Sequence, residues 1–195
     1  DTLSMLRMKF ECLFIVARKR VVKKTTMEAP SPAEQKADEE VEAANTAAAQ
    51  TFVKTTGDWS AFKYGSGKSR SCYIASAPQK ETGNYKRRGD TFVLVTHRPG
   101  EGTRDVFELR AGYLYKKGSG VTVMIDGQNF DLFTQGSTAW AKDDKTDGAL
   151  ARAMIRGSKM KVTGTSARGT KTVDTYSLRG FTAAYKTIGR DCSVK

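Results

Sequence analysis

A chain of 195 residues, with 38% hydrophobic and 28% charged residues, suits one ordinary globular domain plus an extension. No stretch approaches the roughly 18 consecutive apolar residues of a membrane-spanning helix. Three cysteines without a Cys-x-x-Cys pair, and a single histidine with no ligand spacing around it, argue against a zinc site. The formal net charge of +12 points to an acidic partner (anionic lipid, nucleic acid or an acidic protein surface) or to a solvated basic exterior.

Residues 1–30 form a basic extension through Arg7, Lys9, Arg18, Lys19, Arg20, Lys23 and Lys24. Its apolar run Leu13–Ala17 is closed at once by Arg18-Lys19-Arg20, with no small-residue cleavage site after it, which makes a poor signal peptide. Arg18, Lys19, Arg20, Lys23 and Lys24 are the candidate contacts to an anionic partner surface, a membrane surface included. Residues 31–53 read as a charged, Ala/Glu-rich helix. Ser31 can cap it, Pro32 suits the first helical position and Glu34 completes a capping box. Ala33, Ala37, Val41, Ala44, Ala48 and Phe52 recur at helical spacing, a thin stripe that lies on the domain, lies on a partner or stays solvated.

From Gly57 the period changes to that of strands, within a domain assigned to residues 54–195. Trp59, Ala61, Phe62 and Tyr64 start a β-like stretch that ends in Gly65-Ser66-Gly67. Cys72–Ala77 is a second strand, stopped by Pro78, and Thr91–Thr96 a third. Val106–Leu109, Tyr113–Lys116, Val121–Ile125 and Asn129–Phe133 follow, with Gly112, Gly118, Gly120 and the hairpin signal Asp126-Gly127 between them. Asp143 or Asp144 can cap a helix through Leu150, Ala153 and Met154, stopped by Gly157. Lys159–Thr165 and Lys171–Leu178 read as a hairpin, and Phe181, Ala184 and Ile188 as one face of a last short helix. Strands at roughly ten-residue spacing predict a mainly β fold, an antiparallel sandwich or barrel-like domain with two short helices, preceded by a helix-containing extension.

Catalytic chemistry finds little support. Gly65-Ser66-Gly67-Lys68-Ser69 lacks the glycine that a phosphate loop needs, since Phe62 stands in its place. His97 has no nucleophile or acid-base partner in evidence and is expected on the surface or at a rim. Asp143, Asp144 and Asp147 lack the spacing of a calcium loop and suit a helix N-terminus instead. Tyr85, Lys86, Arg87, Arg88, Tyr113, Tyr115, Lys116 and Lys117 interleave aromatics with cations, the pattern for stacking on single strands, but suit ordinary strands better, so nucleic acid is a minor alternative. No cofactor, metal or catalytic residue is assigned.

The second half carries a family pattern. It runs through Ala139-Trp140-Ala141, Ala153-Met154-Ile155-Arg156-Gly157, Met160-Lys161-Val162-Thr163-Gly164, Ser166-Ala167-Arg168-Gly169-Thr170 and Asp174-Thr175-Tyr176-Ser177-Leu178-Arg179-Gly180-Phe181, ending at Cys192. With Gly57-Asp58-Trp59 and Cys72-Tyr73-Ile74-Ala75-Ser76 upstream, the chain resembles the invasion-associated locus B family over residues 57–192. The resemblance implies a small protein of the bacterial envelope or periplasm, sandwich-like in fold and without established enzymatic activity; the lack of any nucleophile, metal or phosphate constellation adds the expectation of a binding or structural role with protein partners. The N-terminus departs from the signal peptide usual in the family. The alternative expectation is therefore an accessory subunit of a mitochondrial membrane assembly, held to its partners by the extension.

Two local expectations remain. Ser166, Arg168, Thr170, Asp174 and Tyr176 share parity along the suspected hairpin. Either Arg168, Thr170 and Asp174 contribute to a recognition surface, or Arg168 pairs with Asp174 across the hairpin while Tyr176 packs in the core. Cys72 and Cys192 both lie in the domain, one opening an inner-looking strand and one following the last helix, whereas Cys12 lies outside it. They are expected to form a disulfide, against the alternative of two buried thiols, and a bridge requires an oxidising compartment such as the periplasm or the mitochondrial intermembrane space.

Overall fold

Alternation of side chains decides where the strands of this domain begin and end. In Lys159–Thr165 the lysines at 159 and 161 face solvent while Met160, Val162 and Gly164 are buried, the pattern of a sheet with one wet face. The structure is a computed structural model that describes residues 50–85 and 87–194. The basic segment 1–30, its residues Arg18 to Lys24, the greater part of the Ala/Glu-rich helix, and Cys12 lie outside the described residues.

Eleven strands are described: β1 Thr51–Thr56, β2 Trp59–Tyr64, β3 Ser71–Ser76, β4 Lys80–Thr82, β5 Phe92–Arg98, β6 Thr103–Arg110, β7 Val121–Ile125, β8 Gln128–Gln135, β9 Thr138–Trp140, β10 Lys159–Thr165 and β11 Lys171–Ser177. Helix α1 spans Asp144–Arg156, between β9 and β10, and α2 spans Phe181–Asp191, after β11. The sheet order is β1-β2-β3-β5-β6-β9-β8-β7-β10-β11-β4, and every pairing is antiparallel. Strand β8 is the joint. Its first residues, Gln128–Leu132, pair with β7, and its last, Phe133–Gln135, pair with β9. Both halves contribute to one hydrophobic cluster, with Trp59, Ile74, Val93 and Phe107 from one and Val123, Met160 and Tyr176 from the other.

The far ends of the sheet meet without pairing as strands. The Trp59 indole N–H donates to the Ser177 carbonyl (3.0 Å), and the Asp58 N–H donates to the Arg179 carbonyl (2.9 Å). Two glycines make this approach possible. A Cβ on Gly180 would lie 2.0 Å from the Thr56 oxygen, and one on Gly57 would lie 2.4 Å from the Arg179 oxygen. Both have positive φ, +91° and +58°, where L side chains are strained.

One boundary differs from the sequence reading. Phe52, counted there in a helical stripe, lies in β1, and the domain begins by Thr51 rather than at 54. The run Thr51-Phe52-Val53 is rich in β-favouring side chains, and pairing with β2 outweighs the helical spacing. The Phe52 ring meets Phe62 edge-on at 5.7 Å.

The helices follow their caps. The Asp143 carboxylate accepts from the Thr146 N–H at 2.7 Å, and α1 turns Leu150, Ala151 and Met154 inward. Helix α2 buries Phe181, Ala184 and Ile188 and packs on β2 and β3. The expected disulfide is present: Cys72 on β3 and Cys192 after α2 are bonded, with Cα atoms 5.9 Å apart. It closes a span of 120 residues, for which the chain-entropy model gives up to about 5 kcal/mol. Replacing both cysteines by serine should lower the free energy of urea unfolding by about that amount or less, and intact-mass alkylation of the unreduced, denatured wild type should label neither Cys72 nor Cys192.

Helix α1 also carries a buried acid. The Asp147 carboxylate accepts from the Phe107 N–H (2.8 Å) but is otherwise desolvated. Burial pushes its carboxyl up to about 6, with Asp144, Asp105 and Asp143 adding to the rise and the Phe107 bond opposing it. The folded state therefore holds this proton more tightly than the unfolded chain. The associated stability is fully present below about pH 4 and is lost as pH rises through about 6. Asp147→Asn keeps an acceptor for Phe107 and removes the titration. It should leave stability near pH 4 unchanged and raise it near neutral pH by up to about 3 kcal/mol, as read by chemical denaturation.

Candidate functional site

The segment 111–120 is not the strand expected at Tyr113–Lys116. Its backbone groups are shared among several elements. The Ala111 N–H donates to Ser137, Tyr115 to Gly136, and Lys116 to Thr165, while the Gly112 carbonyl accepts from Gly89. Only one ladder-type contact forms, an antiparallel bridge from Tyr115 to Ser166. Gly112, at φ +70°, turns the chain into this path, and a Cβ there would sit 2.1 Å from the Gly89 oxygen. The segment is thus a loop stitched between the β8–β9 turn and the β10–β11 turn.

Beneath it lies a buried charge pair. Asp174 on β11 accepts from both terminal nitrogens of Arg88, at 2.7 and 2.6 Å. The two side chains are 8% and 3% exposed, so neither charge is matched by bulk water. Arg88 Nε also donates to the Ala111 carbonyl (2.8 Å), its guanidinium stands 4.9 Å over the Tyr113 ring, and Glu81 of β4 lies 3.9 Å away. Desolvation works against the charged guanidinium, but the Asp174 bonds outweigh it and raise its pKa above the usual arginine value. This corrects the pairing read from the hairpin. Asp174 is bound by Arg88, 86 positions upstream, and not by Arg168. Of the residues that share parity, Ser166, Asp174 and Tyr176 are buried, as is Thr172 between them, but Arg168 falls in the turn, outside the regular strands.

The tyrosines are packed rather than displayed. Tyr85 stacks on Tyr113 (5.3 Å), Tyr113 meets Tyr115 edge-on (5.2 Å), and the Tyr113 hydroxyl pairs with Thr172 Oγ1 at 2.6 Å. Burial raises the pKa of both Tyr113 and Tyr115 above the usual phenol value. With Tyr113 and Tyr115 only 8% and 7% exposed, their ring faces are engaged inside the protein rather than available for bases to stack on.

The outer side of the loop is different. Leu114 is 64% exposed, although its carbonyl is held by the Ala167 N–H at 2.7 Å. It borders a cleft of about 520 Å³ walled by Tyr85, Arg87, Tyr113 and Arg168. Arg87 and Arg168 are exposed, and the Arg168 side chain makes no hydrogen bond or ion pair among the described residues. The 166–170 turn that carries Arg168 is fixed: Ser166 N–H donates to the Thr170 carbonyl (2.9 Å) and Thr170 N–H to Ser166 Oγ (3.1 Å). Thr170 is half-buried there. The arrangement offers a fixed apolar anchor flanked by two guanidinium groups, which suits an acidic, partly apolar chain segment.

The remaining candidates take structural places. Gly67–Ser69 is a short 3-10 turn between β2 and β3. Asp143 caps α1, as expected. His97, expected on the surface or at a rim, is fully buried on β5 opposite Cys72, because α2 and the disulfide cover that end of the sheet. Among the described residues no group of three His, Cys, Asp or Glu side chains could hold a metal ion, and no helix is long and apolar enough to cross a membrane.

Two substitutions separate the buried pair from the rim. Asp174→Ala leaves a buried guanidinium uncompensated and should cost about 3–5 kcal/mol in denaturant unfolding. Arg168→Ala should change stability by no more than about 0.5 kcal/mol.

Comparison with curated proteins and with solved structures returned no match. The sequence profile of one family, described as Invasion associated locus B (IalB) protein, matches residues 59–189. That span runs from the first residue of β2 almost to the end of α2 and takes in the Arg88–Asp174 pair, the Leu114 loop and the Arg168 turn. The family is one of bacterial envelope proteins, and this chain belongs to it.

Proposed function

We propose that this is a non-catalytic binding protein of the bacterial envelope, and that it engages a protein partner at the Leu114 cleft. The observation that carries the reading is the contrast between the two sides of one loop. Inside, Arg88, Asp174, Tyr113 and Thr172 satisfy one another. Outside, an exposed leucine is held on a hydrogen-bonded backbone between two exposed arginines whose side chains make no hydrogen bond or ion pair among the described residues. Large apolar side chains presented this way are costly in water and characteristic of interface anchors. The Cys72–Cys192 bridge fits a periplasmic address, since structural disulfides persist in oxidising compartments.

A photoreactive amino acid at position 114, in protein secreted to the periplasm of its native host, should cross-link a discrete protein, whereas the same probe at Lys145 on α1 should not. The partner so identified, once purified, should bind Leu114→Asp or Arg168→Glu about tenfold or more weakly than wild type, with the melting temperature unchanged. Equal cross-linking from both positions, or undiminished affinity of both variants, would reject the cleft. A substrate turnover by the purified domain would reject the non-catalytic reading.

A further inference from the structure

We propose that a separate cleft, at the C-terminal end of α2, binds the oxyanion head of a small organic anion through His97 Nε2–H and the cations of Arg104, Lys186 and Arg190. The argument starts from the backbone. Strands β5 and β6 lose register between Thr96 and Arg98, so that the stretch after Thr103 bulges opposite His97. Asp105 in this bulge has φ +63°, a left-handed conformation that costs a non-glycine residue energy. The N–H freed from the ladder is not wasted: Asp105 N–H donates to His97 Nδ1 at 3.1 Å.

That bond assigns the imidazole tautomer. A ring nitrogen that accepts a hydrogen bond carries no proton, so the proton of the neutral ring lies on Nε2. Burial holds His97 below its usual pKa, which keeps the ring neutral at pH 7. Nε2 is itself buried and has no hydrogen-bond partner among the described residues. A buried N–H without an acceptor costs about 1–3 kcal/mol. The ring lies against the Tyr185 ring, edge-on at 5.2 Å, a weak substitute for an oxygen acceptor.

His97 lines a cleft of about 500 Å³, room for a small organic molecule rather than a bare ion. Arg104, Lys186 and Arg190 contribute its charge, Val194 and the Tyr185 ring its apolar wall, and among the described residues no acid lines it. Lys186 and Arg190 are exposed. The carboxylate beside His97 and Arg104, that of Asp105, is already engaged: Tyr185 OH donates to Oδ1 (2.5 Å), and Arg104 Nε lies 3.3 Å from Oδ2. The C-terminus of α2 would repel an anion, but its last carbonyls are covered. Cys192 N–H donates to Ile188, Val194 N–H to Gly189, and the Arg70 guanidinium to Asp191. A buried donor without an acceptor, on a residue that lines a cleft together with three cations, matches an oxyanion and disfavours a cation or a wholly apolar ligand.

The chain contains a single histidine, so imidazole ¹⁵N resonances report on this cleft alone. The folded protein is titrated at constant ionic strength with acetate, succinate, inorganic phosphate and glycerol 3-phosphate. A saturable shift of the Nε2–H signal at roughly millimolar concentration or below is expected with at least one probe. The Lys186→Ala/Arg190→Ala variant, altered only at exposed positions, should raise that half-saturation about tenfold or more with an unchanged melting temperature. A response to the phosphates alone assigns a phosphate head, and one to the carboxylates alone assigns a carboxylate head. Absence of a saturable shift with all four probes, or an unweakened shift in the double variant, overturns the proposal. Neither result bears on the Leu114 cleft, whose residues are not touched.

Discussion

The structure around the Leu114 loop rests on one requirement: a carboxylate and a guanidinium, both withdrawn from water, must find each other in a single geometry. Arg88 and Asp174 meet it with two parallel hydrogen bonds, and the guanidinium Nε–H goes to the Ala111 carbonyl. Such a pair adds little net stability over a well-packed apolar alternative, because desolvation opposes attraction. What it contributes is uniqueness. The arginine enters from the connection between β4 and β5, the aspartate from β11, and the carbonyl from the end of β6, so three separate stretches are locked to one register.

The two clefts share a logic. Each lies where the regular ladder fails and its released backbone groups are taken up locally. At the Leu114 loop the hydrogen bonds of 111–116 are divided between two hairpin turns, which leaves the leucine side chain facing outward on a fixed backbone. At the other end, the bulge in β6 aims one N–H at the His97 ring and brings Arg104 beside it. The His97 cleft is held by rigid elements, with β3 tied to the end of α2 by the disulfide. A site held on a sheet and a short helix keeps its geometry more faithfully than one held on a free loop.

Local features were legible in the sequence, and distant ones were not. The Lys159–Thr165 and Lys171–Ser177 hairpin, the Asp126-Gly127 turn and the Asp143 cap each depend on neighbours within a few positions, where residue type and periodicity carry the information. The family resemblance was legible because it lies in runs such as Ser166–Thr170 and Asp174–Phe181. The Arg88–Asp174 pair was not, since parity says which way Asp174 points but not which cation, 86 residues away, arrives to meet it. Tyr113–Lys116 has the composition of a strand, yet its partners are turns. His97 looked peripheral because it stands beside Arg98 and Pro99, and the helix that buries it lies at the other end of the chain. The short β4, Lys80–Thr82, is exposed throughout and so leaves no hydrophobic trace.

The position of the cysteines bears on when the domain can mature. Cys72 lies in the third strand, whereas Cys192 follows all eleven strands and both helices, 120 residues later. On a chain that emerges N-terminus first, the first thiol is exposed well before its partner exists in the same space. It must remain reduced, or exchange any earlier bond, until α2 has formed and lies on β2 and β3. The bridge is therefore a seal applied at completion and not a guide to early pairing. Oxidant encountered during emergence is a hazard, because a mixed disulfide or a bond between two chains at Cys72 would leave α2 without its anchor.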